Sequence, residues 1–191
     1  MVLPKYEPPS TGANSSSKSS NGLTVSVRPL VDGNESRKYF GTDLTSKNIL
    51  AIFISLENKS NKRIYIIPKK SITFKYHDSA TKAKNATNSP GDSDAGEALA
   101  TAGVIVSPLL MGAGLTIAGD QTVINHAFKS NEYQNRTLSP GNSAQGFLYF
   151  KWPNEFINHK SGILNLTARD PIANESIKFH LPIQLKGRKA P

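Results

Sequence analysis

The sequence predicts an all-β fold, an antiparallel β-sandwich of about seven or eight short strands. Three observations carry this. Short runs of alternating apolar and polar residues recur along most of the chain, separated by Pro, Gly, Asn and Asp turn signals. The 191 residues suffice for one domain with a core of its own. Finally, the chain has no cysteine, which removes disulfides, thiolate nucleophiles and cysteine-held metals.

Residues 1–21 are rich in proline and serine and poor in apolar side chains, so they read as a disordered tether. The sandwich is expected over 22–185, interrupted by an insertion over 77–135. Leu23, Val25 and Val27 alternate with polar residues as a strand that Pro29 stops. Asn34 is placed to cap a short helical turn that Gly41 ends, leaving Tyr39 and Phe40 for packing. Ile49 to Glu57 is apolar almost throughout, the mark of a strand inside a sheet. After the polar turn at 58–62, Arg63 to Ile67 returns and closes at Pro68. Ser71 to Tyr76 then puts Ile72, Phe74 and Tyr76 on one face.

The insertion begins as a polar loop. Ala98 to Gly119 follows without a single charge, punctuated by Gly103, Gly112 and Gly114. Its apolar length of about 22 residues would cross a bilayer as a helix, but Pro108 divides it into halves too short to cross. Three arrangements remain open for Val104, Ile105, Leu109, Leu110, Met111, Leu115 and Ile117: a hairpin packed on the chain's own sandwich, a docking element for a membrane or a partner's groove, and a transmembrane span. Gln121 to Tyr133 has apolar residues at helical spacing. Strand signals resume after the turn Ser139-Pro140-Gly141-Asn142, at Ala144–Trp152, Gly162–Arg169 and Ile177–Leu185. Residues 186–191 form a basic tail.

No stretch carries a motif for catalysis or for a cofactor. The four histidines lack metal-ligand spacing. Asp92-Ser93-Asp94 opens like a calcium loop, but Gly103 stands where the twelfth-position Glu belongs. Gln145 stands where a nucleophile elbow needs glycine. Gly146 to Trp152 has the aromatic spacing of an RNA-binding strand without the surrounding fold, so its aromatics read as core. Seven N-x-S/T sequons are present, beginning at Asn14, Asn34, Asn58, Asn85, Asn135, Asn165 and Asn174. The balance of 23 basic against 14 acidic residues, a net +9, favours anionic neighbours.

Tyr39-Phe40-Gly41 with Asp43, Glu57-Asn58-Lys59-Ser60, and Leu138-Ser139-Pro140-Gly141 followed by Gly146-Phe147-Leu148-Tyr149-Phe150 carry a resemblance. Over about Gly22 to Leu185 the chain resembles a group of uncharacterised bacterial envelope lipoproteins. These have an immunoglobulin-like domain with a hydrophobic, glycine-rich insertion between two strands. The resemblance implies a periplasmic location and an anchor to the outer membrane through a lipidated Cys where Met1 stands. It implies a non-enzymatic structural or protein-interaction role in an envelope assembly, such as the core of a secretion system, with no nucleic-acid partner. It supplies no functional residues. Exposed sheet edges at Leu23–Val27 or Ile177–Leu185 could add a partner strand. The other reading is a glycan or small-molecule binding module, with Trp152, Tyr149 or Tyr133 lining a pocket at the strand ends.

Overall fold

The computed structural model describes residues 14–77, 84–86, 130–151 and 160–185. These residues hold ten strands: β1 (Ser16–Ser20), β2 (Leu23–Leu30), β3 (Ile49–Asn58), β4 (Tyr65–Ile67), β5 (Ile72–His77), β6 (Lys84–Ala86), β7 (Arg136–Leu138), β8 (Ser143–Lys151), β9 (Ser161–Asp170) and β10 (Glu175–Gln184). One helix, α1 (Gly33–Phe40), follows β2. The first sheet runs β1-β2-β3-β8. The second runs β6-β5-β9-β4-β7, with β10 on the other side of β9. Every ladder is antiparallel.

The all-β sandwich is the observed architecture. Alternation explains the inner faces. Val25, Leu56 and Ala144 share one cross-strand row of the first sheet, and Pro29, Ile52 and Leu148 share another. Val25, Leu56, Ala144, Ile52 and Leu148 face Ile72, Phe74, Leu164, Leu166, Phe179 and Leu181 from the second sheet in one apolar cluster. Each such side chain contributes roughly 1.5–3 kcal/mol on leaving water. Segments from both sides of the insertion build this single core.

β3 is apolar on both faces because both faces are covered. Its second face joins Phe147 and Tyr149 of β8 against Phe40 and Leu44. Phe40 meets Phe147 edge-on at 4.9 Å and Tyr149 at 5.7 Å, an arrangement aromatic pairs favour. The helix ends at Gly41, whose φ of 68° is left-handed. Its N-cap is Asp32 rather than Asn34: the Asp32 side chain accepts from the Asn34 amide at 2.8 Å. Both residue types cap well, and the cap falls on the one with extended backbone.

Four expectations need correction. Ser16–Ser20, placed within the tether, is a strand: it pairs with Leu23–Val27 through an Asn21-Gly22 turn whose φ angles are both positive (50° and 83°). Its serines make hydroxyl contacts with β2 at 2.8 Å (Ser17 to Ser26, Ser19 to Thr24) instead of burying apolar surface. Pro29 does not stop β2. It lies beyond the reach of β1, where β2 needs no donor on that side. Leu23–Val27 is therefore not a sheet edge; β1 is. The strand count exceeds eight because β1, β6 and β7 lack an apolar alternation.

Both edges on this side carry deterrents to further pairing. Lys18 shares the inward face with Val25 across β1 and β2, and Pro182 interrupts the donors of β10.

Candidate functional site: the root of the insertion

The interaction residues expected from the sequence, Val104, Ile105, Leu109, Leu110, Met111, Leu115 and Ile117, lie outside the described residues. What the structure describes is where the insertion rejoins the body. Residues 132–135 are fastened to both sheets there.

β4 breaks at Pro68 into a 3-10 turn, Lys69–Ser71, before β5 continues in the same direction. The Lys69 amide donates to Asn135 Oδ1 at 2.8 Å. Its ammonium pairs with the Glu132 carboxylate, and both side chains are only 14% exposed. The Tyr133 amide donates to the Phe147 carbonyl of β8 at 2.8 Å. The Tyr133 ring is fully buried in the core between the sheets, and its hydroxyl donates to the Ile67 carbonyl of β4 at 3.1 Å. Burial pushes the Tyr133 hydroxyl well above its ordinary pKa, against the weaker opposing pull of Arg136. It therefore stays a donor. Gly146 makes this approach possible: a Cβ there would lie 2.7 Å from the Tyr133 Cα and nitrogen.

Sequence reasoning placed Tyr133 at the end of a helical stretch inside the insertion. The structure makes it a core residue, and nothing in the local pattern marks it as one. Tyr133 and Tyr149 do not share a pocket either. Tyr133 belongs to the inner cluster and Tyr149 to the α1-covered face of the first sheet. Trp152 lies outside the described residues.

Two of the motifs that carry the sequence resemblance meet at the opposite end of β4. Asn58 is fully buried. Its amide nitrogen donates to the Arg63 carbonyl at 2.7 Å and the Leu138 carbonyl at 3.0 Å. Its amide oxygen accepts from the Ser60 amide and hydroxyl at 3.1 and 2.6 Å. Its backbone exchanges bonds with Gly141 and Asn142. Glu57-Asn58-Lys59-Ser60 and Leu138-Ser139-Pro140-Gly141 are thus two halves of one brace. The sequon at Asn58 cannot take a glycan in the folded chain, because its nitrogen is enclosed and engaged. Nearby, Arg63 bridges Asp170 at 3.2 Å and Glu175 at 2.8 Å, tying the β9–β10 turn to β4. Asp170 is 1% exposed and also caps its own turn through the amides of Ile172 and Ala173.

Asp43, from the Tyr39-Phe40-Gly41 motif, is likewise structural. Burial pushes its carboxyl up, but bonds from the Thr45 hydroxyl and the Ser46 and Thr45 amides, with Arg37 at 3.5 Å, outweigh this and hold it below its ordinary value. A carboxyl with a depressed folded pKa stabilises the fold above its unfolded pKa and loses that contribution as pH falls. Asp43→Asn is therefore expected to flatten the pH dependence of urea unfolding below about pH 4. An unchanged slope would show that Asp43 does not contribute there.

Elsewhere Glu35 pairs with Arg28 at 2.6 Å and Glu57 with Lys59 at 3.1 Å. Each carboxylate among the described residues thus caps a turn or pairs with a cation. Among the described residues, no three His, Cys, Asp or Glu side chains stand together as a metal would need. Nor is any helix long and apolar enough to cross a membrane.

No family model matches the chain, and no curated protein does. Solved structures similar to the chain at low levels include these two. A functionally uncharacterised protein from Listeria monocytogenes EGD-e is 14% identical, with a TM-score of 0.44 over 91% of this chain and 84% of its own. A Bordetella pertussis protein provisionally called ApaA is 15% identical, with a TM-score of 0.38 over 84% and 87%. Likeness at this level carries nothing about function.

Proposed function

We propose that this chain is a non-enzymatic structural or interaction component of a bacterial cell envelope, an outer-membrane lipoprotein domain whose glycine-rich insertion makes the contact. The observation that carries the reading is the root. A body braced at both ends spends a largely enclosed ion pair, a core tyrosine and a required glycine on fixing residues 132–135, where the chain returns from an insertion that includes an uncharged stretch of about 22 residues. So firm an anchorage at the return point supports reading the insertion as a contact element. The immunoglobulin-like reading is supported by the grouping of β2, β3 and β8 in one sheet and β5, β9 and β10 in the other.

Flotation with vesicles tests the reading. The chain is expected to float with bacterial-lipid vesicles, and a variant lacking residues 98–119 to stay in the load fraction while melting as a folded protein. A full chain that stays in the load fraction, or a deletion variant that floats equally well, would sink it.

A further inference from the structure

The two outward faces of the sandwich differ in charge. The α1 side carries Asp32, Glu35 and Asp43 in the helix and its flanks, with Glu57 farther along the first sheet, interleaved with Arg28, Arg37, Lys38 and Lys47. On the second sheet the outward positions follow from the register. They are Ser176, Lys178, His180, Pro182 and Gln184 on β10; Ser161, Ile163, Asn165, Thr167 and Arg169 on β9; Thr73 and Lys75 on β5; and Ile66 on β4. None is a carboxylate. Lys75, Arg169 and Lys178 are exposed, and none has an ion-pair partner among the described residues. Arg169 and Lys178 are diagonal neighbours, because Arg169 pairs with Ser176. Lys75 shares the Ile163 row, six residues from Arg169 along β9, or roughly 20 Å.

We infer that this face of the second sheet docks on an anionic bilayer surface, through the headgroup phosphates. Charge complementarity supplies the attraction: a lysine or arginine beside an anionic leaflet contributes at short range and is screened within about 10 Å at 0.1 M salt. The face lacks what other anionic partners require. Among the described residues it has no outward Trp, Tyr or Phe on which single-stranded nucleic acid could stack. A protein interface of ordinary affinity is centred on a buried aromatic or arginine anchor in a pocket, whereas here all three cations are exposed on an open sheet. The insertion also leaves the body from this sheet, since its first described strand, β6, pairs with β5. The inference rests on the membrane reading above and adds which side of the molecule faces the lipid.

The test compares two triple variants on phosphatidylglycerol-containing and pure phosphatidylcholine vesicles. Reversing Lys75, Arg169 and Lys178 to Glu is expected to weaken binding to the anionic vesicles on the order of a hundredfold or more. Reversing Lys38, Lys47 and Lys62 changes net charge equally and is expected to cost less than about tenfold. Melting curves confirm that each variant is folded; the reversed face is solvent-exposed, so its fold is expected to hold. Equal losses from the two triples, no loss from the first, or equal binding to both vesicle types would overturn the inference. The failures are separable. If deletion of 98–119 abolishes binding while face reversal changes nothing, the insertion reading survives and this one falls. If the deletion variant still binds anionic vesicles through the three cations, the reverse holds.

Discussion

Asn58→Ala is expected to cost about 3–5 kcal/mol, lowering the melting temperature by roughly 10 °C for a body of this size. The estimate follows from what the side chain does. Its amide donates twice and accepts twice, the full capacity of the group. Truncation leaves the Arg63 and Leu138 carbonyls and the Ser60 amide without those partners, at about 1–3 kcal/mol for each group that water cannot reach. Asn58→Asp is the sharper probe. It keeps the acceptor for Ser60 but turns a carboxylate oxygen toward two carbonyls. The introduced carboxyl has a folded pKa raised above its unfolded value, so protonation stabilises that fold. The Asp variant should be less stable than the Ala variant at neutral pH and regain stability on acidification. Urea melts at pH 7 and pH 5 read both effects. A loss under about 1 kcal/mol for the alanine variant would mean that water replaces the amide.

Gly146→Val is expected to cost a similar amount, about 3–5 kcal/mol, through the root. The new side chain would begin 2.7 Å from the Tyr133 backbone. The colliding atoms are backbone, so no rotamer relieves them, and the segment must move. Moving it breaks the bond from the Tyr133 amide to Phe147 and withdraws a fully buried ring. Truncating a buried aromatic costs about 3–5 kcal/mol by itself. A double-mutant cycle identifies the mechanism. Tyr133→Ala should be costly in the native background and nearly free after Gly146→Val, since the ring has already left. Additive losses would refute displacement of the root.

The elements legible in the sequence are those whose side chains report their own surroundings. In β9 the buried Leu164, Leu166 and Ala168 alternate with Asn165, Thr167 and Arg169. Gly41 marks the helix end because an αL position favours glycine. The turn at 139–142 follows from Pro140-Gly141. What escaped reading depends on partners distant in the chain. Ser16–Ser20 is polar on both faces, and only the neighbouring strand makes it a strand. Pro29 looked like a stop because the sequence does not say which side of β2 is unpartnered. Asn58 resembled an ordinary turn asparagine, although one of its bonds reaches Leu138, 80 residues away. At the candidate site, Tyr133 and Gly146 are each unremarkable alone; their fit exists only once β8 and the root are side by side. The basic pair Lys69-Lys70 was visible, but not that Glu132 returns to meet it.

The interleaving of strands has a consequence for how this chain can vary. β3 lies beside β8, and β5 beside β9, so pieces from before and after residues 87–129 hold each other directly. The connection between them needs no particular length. Doubling a flexible connection raises its closure entropy cost by only about 0.6 kcal/mol. The body can therefore carry a longer, shorter or wholly different passenger at that point with its own architecture unchanged, which leaves the passenger free to diversify while the carrier stays the same.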